Sequence, residues 1–273
     1  MIDIEPQVIC DFQQKIMDWW KTNRRELPWR VNHSLYSVLV SEFMLQQTQV
    51  NRVVPKYLEF MEAFPSIESL AAADTKSVLQ VWSGLGYNRR ALWLKEAAQA
   101  IVEREEFPGT VDELRELRGI GPYTSRSILI FAFNKDLAAV DTNIRRVLIA
   151  SGFADESMSK TELQEAAECL LLRGRARDWH NALMDYGSQV LTSSSTGIRP
   201  TSCQDDFDGS SRQLRGAIVR VLTEAEELAL EDLMSQLDCS GRTIEDVTCI
   251  ITRLVEEGLV EQTPMNRFRI PFK

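Results

Sequence analysis

Residues 114–147 read LRELRGIGPYTSRSILIFAFNKDLAAVDTNIRRV, and the punctuation of this stretch decides the fold. A helix runs into a tight Gly119-Ile120-Gly121 turn, a second helix follows, and a short loop leads to Asp141 at the start of a third. Two glycines around one residue mark a chain that reverses quickly and lets a partner approach its backbone. The helix after the turn offers unpaired N–H groups at its N-terminus, an anion site that suits a phosphate. Asp141 lies twenty residues past Gly121. The pair reads as a nucleic-acid clamp and a catalytic carboxylate, although Asp141 can equally be a plain N-cap of the helix it opens.

Upstream, a second turn, Gly84-Leu85-Gly86-Tyr87, feeds a helix that starts at Arg89 and Arg90 and runs to about residue 103. Before it, residues 53–64, 67–73 and 75–82 have helical periodicity. Residues 35 to about 48 place Tyr36, Leu39, Val40, Phe43 and Met44 on one core-facing stripe. Glu42 sits at the edge of that stripe, with Gln46 and Gln49 on its own side. A carboxylate flanked by Val38, Leu39 and Leu45 suits a desolvated general acid, or it is a partly exposed Glu beside a core helix. Residues 6–22 form a first amphipathic helix, broken by Leu27-Pro28-Trp29-Arg30.

Downstream, helices are expected to residue 150, over 160–172 and over 179–190, the last carrying Asn181 and Asp185 one turn apart. The Ser/Thr-rich stretch 192–211 marks a linker. Beyond it, residues 212–222, 228–237 and 243–257 read as helices. Residues 259–262 and 267–270 read as a hairpin around 263–266. The chain is therefore mainly α, with a small C-terminal winged-helix-like α+β module over 212–273.

A chain of 273 residues can bury a sizeable core in two domains. No apolar run reaches eighteen residues, and the N-terminus lacks a secretory pattern, so no membrane association is expected. The five cysteines form no CxxC pair, which argues against a disulfide framework or zinc and for a reducing cytoplasm, or the nucleoid in a prokaryote. The net charge is −9, yet residues 118–146 carry five basic and two acidic side chains, a local +3 that breaks the acidic trend. Residues 212–273 hold eight basic against eleven acidic side chains. Phosphates repel such a module, so a protein contact or a packing role suits it better than DNA. Arg267 and Arg269 are its best candidate DNA contacts.

Five ordered motifs now add up to a resemblance. They are Leu27-Pro-Trp-Arg30, Ser41-Glu-Phe-Met-Leu-Gln-Gln-Thr-Gln-Val50, Gly84-Leu-Gly-Tyr87, Leu117-Arg-Gly-Ile-Gly-Pro-Tyr-Thr124 and Val140-Asp-Thr-Asn-Ile-Arg-Arg-Val147. Together, over residues 8 to 190, they resemble the helix-hairpin-helix (HhH-GPD) DNA glycosylases, most closely the MutY-type adenine DNA glycosylases. Glu42 with Gln46-Gln47-Thr48 is the most specific part. Endonuclease III-type relatives lack it, whereas mismatch thymine/uracil glycosylases share much of it.

The resemblance implies a two-lobed helical glycosylase domain over residues 1–191 with a DNA-binding cleft. Its central lobe covers about 31–136, and its second lobe combines 1–30 with 137–191. The implied partner is double-stranded DNA with a mismatched or damaged pair. Glu42 would protonate the leaving base and later help to position water. Asp141 would stabilise the cationic sugar, as second carboxylates do in glycosidases, with Asn143 in support. Tyr123 stands where bifunctional relatives carry a lyase lysine, and a phenol cannot form the imine of β-elimination. The enzyme would be monofunctional. Gln46 and Tyr87 would intercalate near the vacated position, with Gln47 as a further DNA contact, and Trp29, Arg30 and Asp185 would line the base pocket. Gly119, Gly121 and Thr124 would hold a phosphate. The carbonyls of Arg115, Leu117 and Ile120 could bind a sodium or potassium ion.

Three departures stand out. Family members usually hold an iron–sulfur cluster in a four-cysteine loop, whose positions fall here near Leu191, Ile198, Thr201 and Phe207. A lone Cys203 cannot hold a cluster, so a clusterless enzyme without a required cofactor is expected. Asn88 stands where adenine-specific members usually carry a second Tyr, and Thr142 where they carry Gly. This leaves excision of thymine or uracil opposite guanine as the alternative, and a catalytically silent DNA-binding protein as a third reading. The usual C-terminal 8-oxoguanine-sensing domain is replaced by the winged-helix-like module.

Overall fold

A computed structural model describes residues 4–104, 107–200, 209–237 and 243–272, and the fold is mainly helical. These residues divide into two compact units. The first combines residues 1–38, 109–116 and 120–203, and the second combines 39–108, 117–119 and 204–273.

The first unit is built around the helices Pro6–Asn23, Pro122–Phe133, Thr142–Ala150, Lys160–Cys169 and Ala176–Gln189. Phe12 and Ile16 of the first helix pack into a core with Ile130, Val147, Leu148, Trp179 and Leu183. Phe12 meets Trp179 edge-on at 5.7 Å. Gly187 sets one approach in this core. A Cβ there would lie 2.7 Å from the carbonyl oxygen of Asn143, so only glycine lets the two helices come this close.

The second unit holds the helices Val50–Ala63, Ile67–Ala72, Thr75–Trp82 and Arg89–Val102, with Leu39, Phe43, Met44, Phe60, Trp82 and Leu94 fully buried. The helices Ser211–Glu224, Leu230–Gln236 and Ile244–Glu256 belong to the same unit. Strands Glu261–Gln262 and Phe268–Arg269 form a short antiparallel hairpin, and Leu228 bridges to Phe268. The helix Ser211–Glu224 packs on Thr75–Trp82, where Gln80 Nε2 donates to the Thr223 carbonyl at 2.7 Å and Lys76 Nζ to that of Ala225 at 2.9 Å.

Two local readings change. The helix that carries Glu42 runs Leu35–Leu45 and stops short of residue 48, because Gln47 takes a left-handed φ of 54°. Gln46 and Gln49 therefore do not continue the Glu42 face. The linker stretch also contains a helical turn, Ser193–Thr196, capped by Thr192 through the N–H of Ser195.

Candidate active site

Asp141 caps its helix. Its extended backbone lets one carboxylate oxygen accept the N–H of Ile144 at 2.7 Å, the other accepting Asn143 Nδ2 at 3.0 Å. Arg146 holds Asn143 in turn, donating to its Oδ1 at 3.1 Å. Asp141 keeps some accessible surface, but the groups crowding its carboxylate desolvate it and push its pKa above the usual carboxylate range. The Ile144 and Asn143 hydrogen bonds and the nearby Arg146 charge offset part of that rise. Cap and candidate catalyst are thus the same side chain.

Glu42 belongs to the second unit and is buried, 8% exposed, on a helix with no other charged residue. The end of that helix is organised by Arg90, also buried. Its guanidinium donates to the carbonyls of Phe43 at 2.8 Å, Met44 at 3.0 Å and Gln46, to Thr48 Oγ1 at 3.0 Å, and to the Gly86 carbonyl at 3.1 Å. One cation thereby satisfies the last carbonyls of the Glu42 helix and ties them to the Gly84–Tyr87 turn. Burial lowers its pKa to about 10. Sequence reasoning did not single out Arg90. The available signal was an arginine in the first turn of a helix, where the dipole disfavours it.

Gln46, Gln47 and Tyr87 line one cavity. Gln47 and Tyr87 both hold left-handed backbone, with φ of 54° and 48°. The other described non-glycine residues in that region are Asn134 and Asn266, a type that tolerates it. Strain of this kind costs about 1–3 kcal/mol and gathers at working sites.

The glycine turn is built as its sequence requires. Gly119 has φ of 84°, and a Cβ there would lie 2.9 Å from both Phe43 and Trp93. Gln46 Nε2 donates to its carbonyl at 3.2 Å. Gly121 is the N-cap of Pro122–Phe133 without a side-chain cap, and nothing lies within 4 Å of where its Cβ would be. Tyr123 is half-buried against the first-unit core, and Thr124 is buried. Arg115 ends the helix Val111–Arg115, and Leu117 and Ile120 bury their side chains.

Asp185 is fully enclosed. The Arg30 fork reaches it at 2.8 and 3.0 Å, Trp20 Nε1 at 2.9 Å, and the Arg25 N–H at 3.0 Å with Nε beside it. Burial opposes its charge, but the Arg30 and Arg25 contacts outweigh that and hold its pKa below the usual range. With both oxygens engaged, Asp185 fixes the orientation of Arg30. Trp29 lies buried beside Arg30 in the 3-10 turn Pro28–Arg30. Trp20 and Arg25 were not legible as its partners, being remote in sequence.

The basic excess of residues 118–146 is spent internally. Arg145 and Arg146 are buried and donate to the carbonyls of Arg199 at 3.2 Å and Leu191 at 2.9 Å. Arg126 pairs with Glu168 at 3.1 Å, and Arg118 with Glu96 at 3.5 Å. The Arg145 and Arg146 contacts also tie down the segment where an iron–sulfur loop would lie. Its described positions are Leu191 and Ile198, which supply no thiolate, so the donor set does not fit a cluster. Thr201, Cys203 and Phe207 lie outside the described residues. Among the described residues, no group of three or more His, Cys, Asp or Glu could hold a metal ion, and no helix is long and apolar enough to cross a membrane.

Residues 40–171 match the model of the HhH-GPD superfamily base excision DNA repair proteins. The adenine DNA glycosylase of Mycolicibacterium smegmatis is 35% identical, with 94% of each chain covered. The chain belongs to this superfamily. An adenine DNA glycosylase of Rattus norvegicus is 36% identical over 67% of this chain and 39% of its own. Among solved structures, a thermostable thymine-DNA glycosylase superposes with a TM-score of 0.63 and 26% identity, covering 72% of this chain and 92% of its own. The HhH-GPD match spans both Glu42 and Asp141 and ends before the C-terminal helices.

Proposed function

We propose that this chain is a monofunctional adenine DNA glycosylase of base excision repair, acting on adenine opposite 8-oxoguanine or guanine in double-stranded DNA. The observation that carries this reading is the similarity to the Mycolicibacterium smegmatis adenine DNA glycosylase over 94% of each chain, with the buried Glu42 and the helix-capping Asp141 both present. The target nucleotide leaves the stack. Glu42 gives its proton to the base as the C1′–N bond breaks and the bonding pair goes to the base. Asp141, oriented by Asn143, stabilises the positive sugar. Water then attacks C1′ and returns a proton to Glu42, leaving free adenine and an abasic site.

Tyr123 supplies no amine, so the strand stays intact. Gln46, Gln47 and Tyr87 fill the vacated space, and Trp29 with the Arg30–Asp185 pair borders the base pocket. The Gly119–Gly121 turn and Thr124 hold a phosphate, and the carbonyls of Arg115, Leu117 and Ile120 hold a sodium or potassium ion. The enzyme works without an iron–sulfur cluster, on DNA in the cytoplasm.

Asn88 and the 26% identical thymine-DNA glycosylase favour one second reading, removal of thymine or uracil opposite guanine. Product formation on A·8-oxoG, A·G, T·G and U·G duplexes separates the two. Alkali-labile sites in the adenine duplexes alone support the first reading, and sites in the T·G or U·G duplexes alone overturn it.

A further inference from the structure

A second cavity, of about 580 Å³, lies wholly within the second unit and shares no residue with the proposed active site. Its size is within the roughly 300–1,000 Å³ of small-molecule sites. One wall is apolar, made by the alanines at 71–73 and by Leu92. Phe272 stands at its edge, 72% exposed.

The charged and amide groups that line this cavity are spent on internal contacts, with one exception. Asp74 caps the helix Thr75–Trp82, accepting the Ser77 N–H at 2.8 Å. Glu96 pairs with Arg118 at 3.5 Å, and Gln99 Nε2 donates to the Ala71 carbonyl at 3.1 Å. Lys95 is the exception. It is 6% exposed, and its ammonium reaches the Thr75 hydroxyl at 3.3 Å and no other partner among the described residues. Burial lowers its pKa, and the more distant charges of Asp74 and Glu96 offset only part of that. A buried ammonium with a single long hydrogen bond to a neutral hydroxyl costs stability. Costs of this kind gather where a side chain serves a ligand.

The hairpin arginines expected to touch DNA are committed within their own module. Arg269 lies over the Phe272 ring at 4.4 Å and pairs with Glu261 at 3.2 Å, and Arg267 pairs with Glu227 at 2.9 Å.

We propose that this cavity binds a small organic anion, its carboxylate or phosphate group on the Lys95 ammonium and its apolar body against Leu92 and Phe272. An oxyanion supplies the charged acceptor that Lys95 lacks. The alanine wall and the exposed ring match an apolar body, and the space is larger than a bare inorganic anion fills. The inference stands apart from the glycosylase reading, because neither Glu42 nor Asp141 lines this cavity.

The test follows thermal melting of the full chain in benzoate, phenyl phosphate and benzyl alcohol, with sodium chloride matching the ionic strength of every sample. The three probes carry a carboxylate, a phosphate and a neutral hydroxyl on the same ring. Benzoate or phenyl phosphate is expected to raise the wild-type melting temperature saturably, by about 3 °C or more at about ten times its dissociation constant. The stronger of the two identifies the oxyanion. Lys95→Met keeps the bulk, removes the charge and should lose the response. The proposal is overturned if neither anion gives a saturable shift, if benzyl alcohol matches them, or if Lys95→Met responds like wild type. The Lys95 ε-methylene resonance of the wild type decides the matter without any variant. A shift that saturates with either anion supports the site, and a resonance that stays in place overturns it.

Discussion

Gln46 Nε2 donates to the carbonyl of Gly119 at 3.2 Å, joining the end of the Glu42 helix to the glycine turn. Phe43 and Trp93 close on the turn because residue 119 has no side chain. Gly119→Ala adds a methyl 2.9 Å from Phe43 and Trp93 at a φ of 84°. A loss of about 2–4 kcal/mol is expected in denaturant melts. Gly121→Ala has open space and an ordinary φ, so it should cost under about 1 kcal/mol and act on DNA affinity instead. Equal destabilisation by the two would contradict this geometry.

Much of the fold was legible, because helical periodicity and glycine punctuation are local signals. The helices Thr75–Trp82 and Arg89–Val102 fall where the apolar spacing puts them. The end of the Glu42 helix was not legible. Its apolar pattern continues, but the buried Arg90 draws in its last carbonyls and Gln47 turns left-handed. Charge was the least legible property. Arg145 and Arg146 count towards the local positive charge of residues 118–146 in the sequence and turn out to serve backbone carbonyls.

Arg90→Met keeps bulk but leaves buried carbonyls without donors. About 3 kcal/mol or more should be lost, with Arg90→Lys intermediate. Thermal melts of the three proteins decide it, and a Met variant as stable as wild type would refute the organising role.

Asp185→Ala leaves Arg25 and Arg30 without their carboxylate. Removing one partner of a buried pair costs about 3–5 kcal/mol. The replacement should lower stability and base excision together, and a variant with full stability would show that Asp185 does not anchor this cluster.

His180 is buried and neutral, accepting the Ala139 N–H at 3.0 Å and donating Nδ1–H to the Ala176 carbonyl at 2.7 Å. Burial lowers its pKa from 6.5 to about 4, against smaller opposing effects of that carbonyl and of Glu168. The unfolded chain therefore takes up a proton below pH 6.5 that the folded chain refuses until about pH 4. Stability falls as pH drops through that window, by about 3 kcal/mol at full depth. His180→Gln, which cannot titrate, should show a shallower loss between pH 7 and pH 4.5. Parallel curves would exclude this contribution.

The most direct measurement is the single-turnover rate of adenine release from an A·8-oxoG duplex by wild type and Glu42→Gln, with a melting curve for each. Glutamine keeps the shape of residue 42 and removes its acid. Wild type should release adenine and leave an uncut abasic strand, while Glu42→Gln binds the duplex, melts like wild type and turns over at least about a hundredfold more slowly. A Glu42→Gln protein as fast as wild type, or a wild type that releases no adenine at all, would contradict the assignment.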